Sequence, residues 1–150
     1  MKIRSVTYDD VANVRSLVET LSCFYMKNNE GSLPEWFVES LTTNEFTKRL
    51  NSENFDNFLC ELDSELAGYI SIRQGTHLYH LFVAEKYQGR GVARALWQHS
   101  QDNCLSAQCT LRSSLSAVPV YKKFGFVESG PVQVKDGIYF QPMIWQRTPG

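Results

Sequence analysis

The sequence predicts a mixed α/β fold: a sheet that is antiparallel at both ends, with helices inserted between its strands. Three observations predict it. Residues 78–101 pass from an apolar, aromatic run through a polar, glycine-bearing turn into apolar positions at helical spacing. Asp136-Gly137, flanked by residues 132–135 and 138–145, is a strong signal for a type I′ hairpin. Across the chain, segments of period two and of period 3.6 follow one another as strand, two helices, three strands, helix, strand, helix, two strands.

Each element has its own warrant. Residues 2–6 alternate charged and apolar side chains, as a first strand would. Thr7 and Asp10 are spaced as a capping box, and Val11, Val14, Leu17, Val18, Leu21 and Tyr25 follow at helical spacing, carrying the first helix to about residue 26. Residues 27–34 break that pattern with Gly31 and Pro34. A second helical region, in one piece or two, spans residues 35–50; Thr42 and Glu45 offer a second capping box, with Phe46 and Leu50 on one face. Residues 58–62 and 66–73 read as strands joined by a turn at Asp63-Ser64-Glu65, and Gln74-Gly75 turns the chain into the strand 78–83. A helix starts at Val92, and residues 107–111 read as a further strand. Residues 117–124 form a short helix. Pro119 sits in its first turn, where a missing N–H costs nothing, and Gly125 stands just past its end.

Composition narrows the function. The 150 residues are expected to form one domain, residues 1–150, able to bury about two-thirds of the unfolded surface. A formal net charge of -1 gives no basic field for nucleic acid or an anionic membrane. Cys23, Cys60, Cys104 and Cys109 show no Cys-x-x-Cys pairing, and the three histidines are not at ligand spacing with them. They read as reduced thiols of a cytoplasmic protein, mostly core filler, with no metal site. The N-terminus does not read as a signal peptide, and no apolar run approaches the roughly 18 residues of a membrane span.

The turn at Gln88, Gly89, Arg90 and Gly91 joins a strand to a helix, so several backbone N–H groups and the helix dipole converge on one spot, with Arg90 and Arg94 adding charge. Such a cradle suits phosphate or pyrophosphate, and a β-carbon on either glycine would hold the ligand off. A nucleotide P-loop is excluded because no Gly-Lys-Ser/Thr follows. A dinucleotide fingerprint is excluded because Arg94 stands at the third glycine and no acidic residue follows at the right distance.

The wider string Gln88-Gly89-Arg90-Gly91-Val92-Ala93 resembles the Gln/Arg-x-x-Gly-x-Gly/Ala signature of the GNAT superfamily of acyl-CoA-dependent N-acyltransferases. The lead-in Leu81-Phe82-Val83 and the later Tyr121-Lys122-Lys123-Phe124-Gly125-Phe126 are similar to that family at its usual separation, and the resemblance covers nearly the whole chain. It implies a central mixed, mostly antiparallel sheet of six to seven strands with about four helices. It further implies acetyl-CoA as co-substrate, held in a gap between the central strand and the next one. Backbone groups of Leu81, Phe82 and Val83 would lie along the pantetheine arm; Gln88, Gly89, Arg90, Gly91, Val92 and Ala93 would hold the pyrophosphate, supported by Arg94.

The resemblance makes Tyr121, four residues before Gly125, the candidate acid for the departing thiolate. A phenol of pKa about 10 is protonated at neutral pH. Ser114, seven residues before Tyr121, stands where many relatives carry an asparagine against the pantetheine; it keeps a hydrogen-bonding group but shortens it. His77 falls where some relatives carry a catalytic glutamate or histidine and is the candidate base; a strand histidine without a catalytic task, or a base that is only water, is the alternative. By simple alternation His77, Tyr79, Leu81 and Val83 share one strand face and Leu78, His80 and Phe82 the other, unless a bulge reverses it.

The acceptor pocket is expected from residues 24–37 and the final hairpin, with Tyr25, Trp36, Phe37, Tyr139 and Phe140 as possible lining and Glu30, Glu35 and Glu39 as possible attractors of a cationic amine. The expected function is acetyl transfer to a primary amine of a small molecule or peptide by direct attack in a ternary complex. The alternative is a non-catalytic acyl-CoA sensor or interaction module. A homodimer is a family tendency.

Overall fold

A computed structural model describes residues 1–22 and 42–148. Strand β1 (Lys2–Ser5) leads through a 3-10 turn (Tyr8–Asp10) into helix α1 (Val11–Ser22). Helix α2 (Thr43–Asn51) precedes strands β2 (Phe55–Leu62), β3 (Glu65–Arg73) and β4 (His77–Val83). Helix α3 (Val92–Asn103), β5 (Gln108–Ser113), α4 (Val118–Lys123), β6 (Val127–Glu128), β7 (Gln133–Lys135) and β8 (Ile138–Gln146) complete the described chain. The sheet runs β1-β2-β3-β4-β5-β8-β6, with β7 also on β8. β4 and β5 are parallel; the other pairs are antiparallel.

The local devices act where the spacing put them. The Asp10 carboxylate accepts from the Thr7 N–H at 2.8 Å and from the Arg4 guanidinium, which also reaches Glu61 on β2. This ties β1, β2 and the start of α1, and Arg4 holds the Asp10 carboxyl down to about 2. Thr42 Oγ1 accepts from the Glu45 N–H and starts α2. The turns at Asp63-Ser64, Gln74-Gly75 and Asp136-Gly137 all take positive φ at both residues, as tight two-residue hairpins require. β6 has no counterpart in the sequence reading: two residues, Val127 and Glu128, both exposed, carry no alternation to detect. The expected extension of α1 to residue 26, the helical start at residue 35 and Cys23 lie outside the described residues.

The sheet separates two cores. On one side α3 lays Val92, Leu96 and Trp97 against Ile70, Ile72, Leu78, Leu111, Met143 and Trp145. On the other, α1 lays Val11, Val14, Val18 and Leu21, joined by Phe46 of α2, against Tyr69 and Phe82. Close approach of α3 needs Gly68: a β-carbon there would stand 2.8 Å from Val92 Cγ1. Cys60 and Cys109 are buried, and burial pushes the Cys109 thiol up to about 12. They fill the core as expected.

Simple alternation fails on β4. Ser71 pairs with His80 and Ile72 with Leu78, so Tyr79 is an extra residue, a bulge. The bulge reverses the faces beyond it. Leu78 shares the α3 side with Leu81 and Val83, while His80 and Phe82 face α1 and α2. His77, opposite Arg73, therefore shares a face with His80 and Phe82 rather than with Leu81 and Val83.

Candidate active site

The site forms because two parallel strands stop pairing. His77 and Thr110 are in register, and the Thr110 N–H donates to the Thr76 carbonyl at 2.8 Å. Past that point β4 and β5 separate, leaving a cavity of about 730 Å³. One wall is the far half of β4: Leu81, Phe82 and Val83 all line the cavity. These residues still pair with Ile70, Tyr69 and Gly68 of β3. In an antiparallel ladder the backbone groups that do not serve one neighbour point to the other side. Here that side is the cavity. One of these groups is taken: the Val83 carbonyl accepts from Gln88 Nε2 at 3.1 Å.

The end of the cavity is the start of α3. Gly89 and Gly91 adopt φ of 80° and 81°, the left-handed region that side chains disfavour. A β-carbon on either would meet nothing within 4 Å, so both glycines border open space. The first intrahelical bond runs from Ala95 N–H to Gly91 O at 3.0 Å, which leaves the N–H groups of Val92, Ala93 and Arg94 without helical acceptors. Those three residues line the cavity with Gln88, Gly89 and Gly91. This is a ready anion cradle, and it is the part of the site that fits a pyrophosphate.

The turn before the cradle is tied down from outside. Tyr87 Oη donates to Glu65 Oε2 at the start of β3, and Lys86 Nζ meets the same oxygen at 3.0 Å. The bond to Tyr87 lowers the Glu65 carboxyl and raises the phenol. Arg90 stacks over the Tyr87 ring at 5.6 Å and is not among the lining residues.

The opposite wall is α4. Ala117, Val120, Tyr121 and Phe124 recur at helical spacing and line the cavity. The Tyr121 side chain is 8% exposed, with its ring edge-on to Phe124 and Phe126. The Arg94 guanidinium lies over the Phe124 ring at 5.4 Å and so bridges the end and the wall. Ser114 lines the cavity where β5 ends, 3.5 Å from the Ser116 hydroxyl.

Of the residues singled out from sequence, Leu81, Phe82, Val83, Gln88, Gly89, Gly91, Val92, Ala93, Arg94, Ser114 and Tyr121 come together around this cavity. Arg90 and His77 do not line it. His77 stands at the closed base, its Nδ1 2.9 Å from Thr110 Oγ1. Burial, then Arg73 and Arg112, hold its pKa down to about 4. His80 stacks near Phe46, and burial followed by Arg49 lowers it to about 3. Sequence reasoning missed Tyr87, Ser116, Ala117, Val120 and Lys123 as lining. The stripe of residues 117, 120, 121 and 124 was the available signal. Tyr139 is exposed and Phe140 lies under Arg112; neither lines the cavity. Tyr25, Trp36, Phe37, Glu30, Glu35 and Glu39 lie outside the described residues. Among the described residues no cluster of His, Cys, Asp and Glu could hold a metal ion, and no helix is long and apolar enough to cross a membrane.

Known proteins resemble this chain in sequence and in fold. The chain is 42% identical over 48 residues to the peptidyl-lysine N-acetyltransferase YiaC of Escherichia coli, a match spanning 32% of this chain and about a third, 33%, of that relative's length. The PaiA N-acetyltransferase of Thermoplasma acidophilum, solved in complex with coenzyme A, superposes with a TM-score of 0.74 at 16% identity, covering 97% of this chain and 98% of that one. A ribosomal-protein-alanine N-acetyltransferase of Brucella melitensis superposes at 0.69 and 16% identity, over 97% of this chain and 99% of that one. The family profile described as the acetyltransferase (GNAT) domain matches residues 15–147. The chain belongs to the GNAT acetyltransferase family.

Proposed function

We propose that the protein transfers an acetyl group from acetyl-CoA to a primary amine, on a small molecule or a peptide, by direct attack of the amine in a ternary complex. One observation carries this reading: the gap between β4 and β5 ends on a glycine-lined helix start and has a tyrosine in its far wall. The coenzyme A bound in the Thermoplasma relative's structure supports the choice of donor. The peptidyl-lysine activity named for the Escherichia coli relative supports an amine acceptor.

In this reading Gln88 to Ala93 hold the pyrophosphate through backbone N–H groups, and Arg94 adds charge. The backbone of Leu81, Phe82 and Val83 pairs with the pantetheine arm as an added strand would. One N–H of that stretch donates to the thioester oxygen as negative charge gathers there. Ser114 offers a hydroxyl to the arm. As the C–S bond breaks, Tyr121 Oη–H gives its proton to the departing sulfur. The amine must arrive neutral, because an ammonium has no lone pair; its proton leaves to water. His77 stands four residues upstream of Leu81, roughly 13 Å along the strand, too far for direct proton transfer. A water route is therefore preferred to His77 as base.

Thermal unfolding with and without acetyl-CoA tests the donor half, with NAD and ATP as controls. A midpoint raised by acetyl-CoA alone is expected, followed by release of CoA on addition of amines. No shift at saturating acetyl-CoA would sink the reading and leave Gln88 to Ala93 as an ordinary turn. A shift without turnover on any amine would favour a non-catalytic acyl-CoA sensor.

A further inference from the structure

Three neighbouring strands bring cationic or imidazole side chains to the sheet face opposite α3. Arg73 of β3 is the register partner of His77 on β4, and His77 is the partner of Thr110 on β5. Arg112 follows Thr110 by two residues and so shares its face, while Cys109, Leu111 and Ser113 are buried on the other. His77 is turned to this face, since its Nδ1 meets Thr110 Oγ1 at 2.9 Å. It is half-buried between the two arginines, which are exposed. Both act on the imidazole, adding to the depression that burial causes. Arg112 is steadied over the Phe140 ring at 5.2 Å.

No carboxylate answers this charge among the described residues. Around the cluster the same face carries Phe55, Asn57 and Leu59 of β2, Tyr69 and Ser71 of β3, His80 and Phe82 of β4, Gln108 and Thr110 of β5, and Phe140, Pro142, Ile144 and Gln146 of β8. None is acidic. Arg4, Arg15, Lys48, Lys86 and Lys122 form ion pairs with described carboxylates, and Arg73 and Arg112 do not take part in them. Positive groups held together without a counter-charge repel one another and attract an anion from solution. A guanidinium also offers a planar fork that matches a carboxylate.

The cluster sits beside the reacting end of the gap. Ser114, in the cavity lining, is two residues beyond Arg112. Leu81, where the thioester would lie, is four residues beyond His77 on the same strand. Arginine side chains reaching along the face shorten the interval, so amine and anion would be separated by roughly 10 Å.

We propose that Arg73, His77 and Arg112 form a carboxylate-binding subsite that selects an acceptor carrying its anionic group about 10 Å from the amine. This rests on the acetyl-transfer reading and adds the acceptor's chemistry to it. The amine enters the gap between β4 and β5 while the carboxylate stays on the open face at its base. His77 serves the acceptor's anion, not its amine.

The test compares 8-aminooctanoate with octylamine, and a lysine peptide bearing glutamate three residues from the lysine with its glutamine counterpart. The free amino acid pair and the peptide pair distinguish a small acceptor from an acidic peptide. In at least one pair the carboxylate member should have a kcat/KM about tenfold higher, and Arg73→Gln with Arg112→Gln should bring that ratio toward one. Equal rates within both pairs, or a ratio that survives both substitutions, would overturn the proposal. If none of these amines turns over, NMR of the His77 imidazole in the CoA-bound protein decides. Saturable shifts with 8-aminooctanoate, lost in the double variant, support the subsite; an unmoved His77 rules it out. The acetyl-CoA midpoint shift is read alongside. Its loss would sink the transfer reading itself, whereas its persistence without discrimination would sink only the subsite.

Discussion

The two ends of β4 are built from the same backbone and do opposite things. At His77 the strand is zipped to β5, and side-chain and backbone bonds from Thr110 close the joint. At Leu81 to Val83 it keeps only its β3 neighbour and turns its other edge to a cavity. An unpaired edge is ordinarily a hazard, because it recruits other strands. Here the edge is walled by α4 and the start of α3, so only something slender can reach it. A site can thus be made by withholding pairing from part of a strand, while the paired part keeps the two strands joined. Changes at the open end should therefore alter acetyl-CoA binding or the chemical step, and changes to the Thr110 joint at the closed end should alter stability while leaving the response to acetyl-CoA as it is.

The open end gives the largest expected effects. Replacing Tyr121 by Phe removes the proton donor and keeps the ring among Phe124 and Phe126. The turnover number should fall about a hundredfold, with the acetyl-CoA-dependent rise in unfolding midpoint unchanged. If the rate is unaffected, the departing sulfur is protonated by something else. Gly91→Val comes next. A β-branched residue at φ 81° is strained, and its side chain would enter the open space that the cradle borders. KM for acetyl-CoA should rise about thirtyfold, with a smaller change in kcat. Equal affinity in calorimetric titrations of variant and parent would mean the pyrophosphate is held elsewhere.

The same contrast separates what was legible in the sequence from what was not. The cradle was legible because its chemistry is local: two glycines, a strand before them and a helix after. The hairpins were legible because Asp136-Gly137 and Gln74-Gly75 carry their turn geometry in their own residue types. Tyr121 was singled out through the family resemblance, whereas the stripe of residues 117, 120, 121 and 124, although it follows helical spacing, was not read as a wall. The bulge at Tyr79 was not legible, because it depends on the register with β3, and Tyr79 differs in no local way from a regular strand residue. The sequence reading allowed for a bulge without placing it, and simple alternation alone groups His77 with Leu81 and Val83, from which the bulge separates it. The parting of β4 and β5 depends on contacts far apart in sequence, and no residue type marks where a parallel pair ends. Arg73 and Arg112 were unremarked for a related reason: 39 positions apart, they become neighbours only through the registers that bracket His77.

The closed end offers the sharpest control, through Thr110→Val. Valine keeps the β-branched shape that strands favour but removes the hydroxyl that meets His77 and, at 3.4 Å, the Thr76 carbonyl. The backbone bond from the Thr110 N–H to Thr76 stays, so the strands remain joined. The lost bond is exposed, and such a bond contributes about 0.5 kcal/mol, up to about 1 kcal/mol. Denaturant melts should show that decrease with an unchanged m-value, because the surface exposed on unfolding is the same. Acetyl-CoA should raise the midpoint of the variant by as much as that of the parent, since Thr110 does not line the cavity. A reduced acetyl-CoA response would mean that the joint also sets the width of the gap. The two ends of β4 would then work as one lever rather than as separate parts.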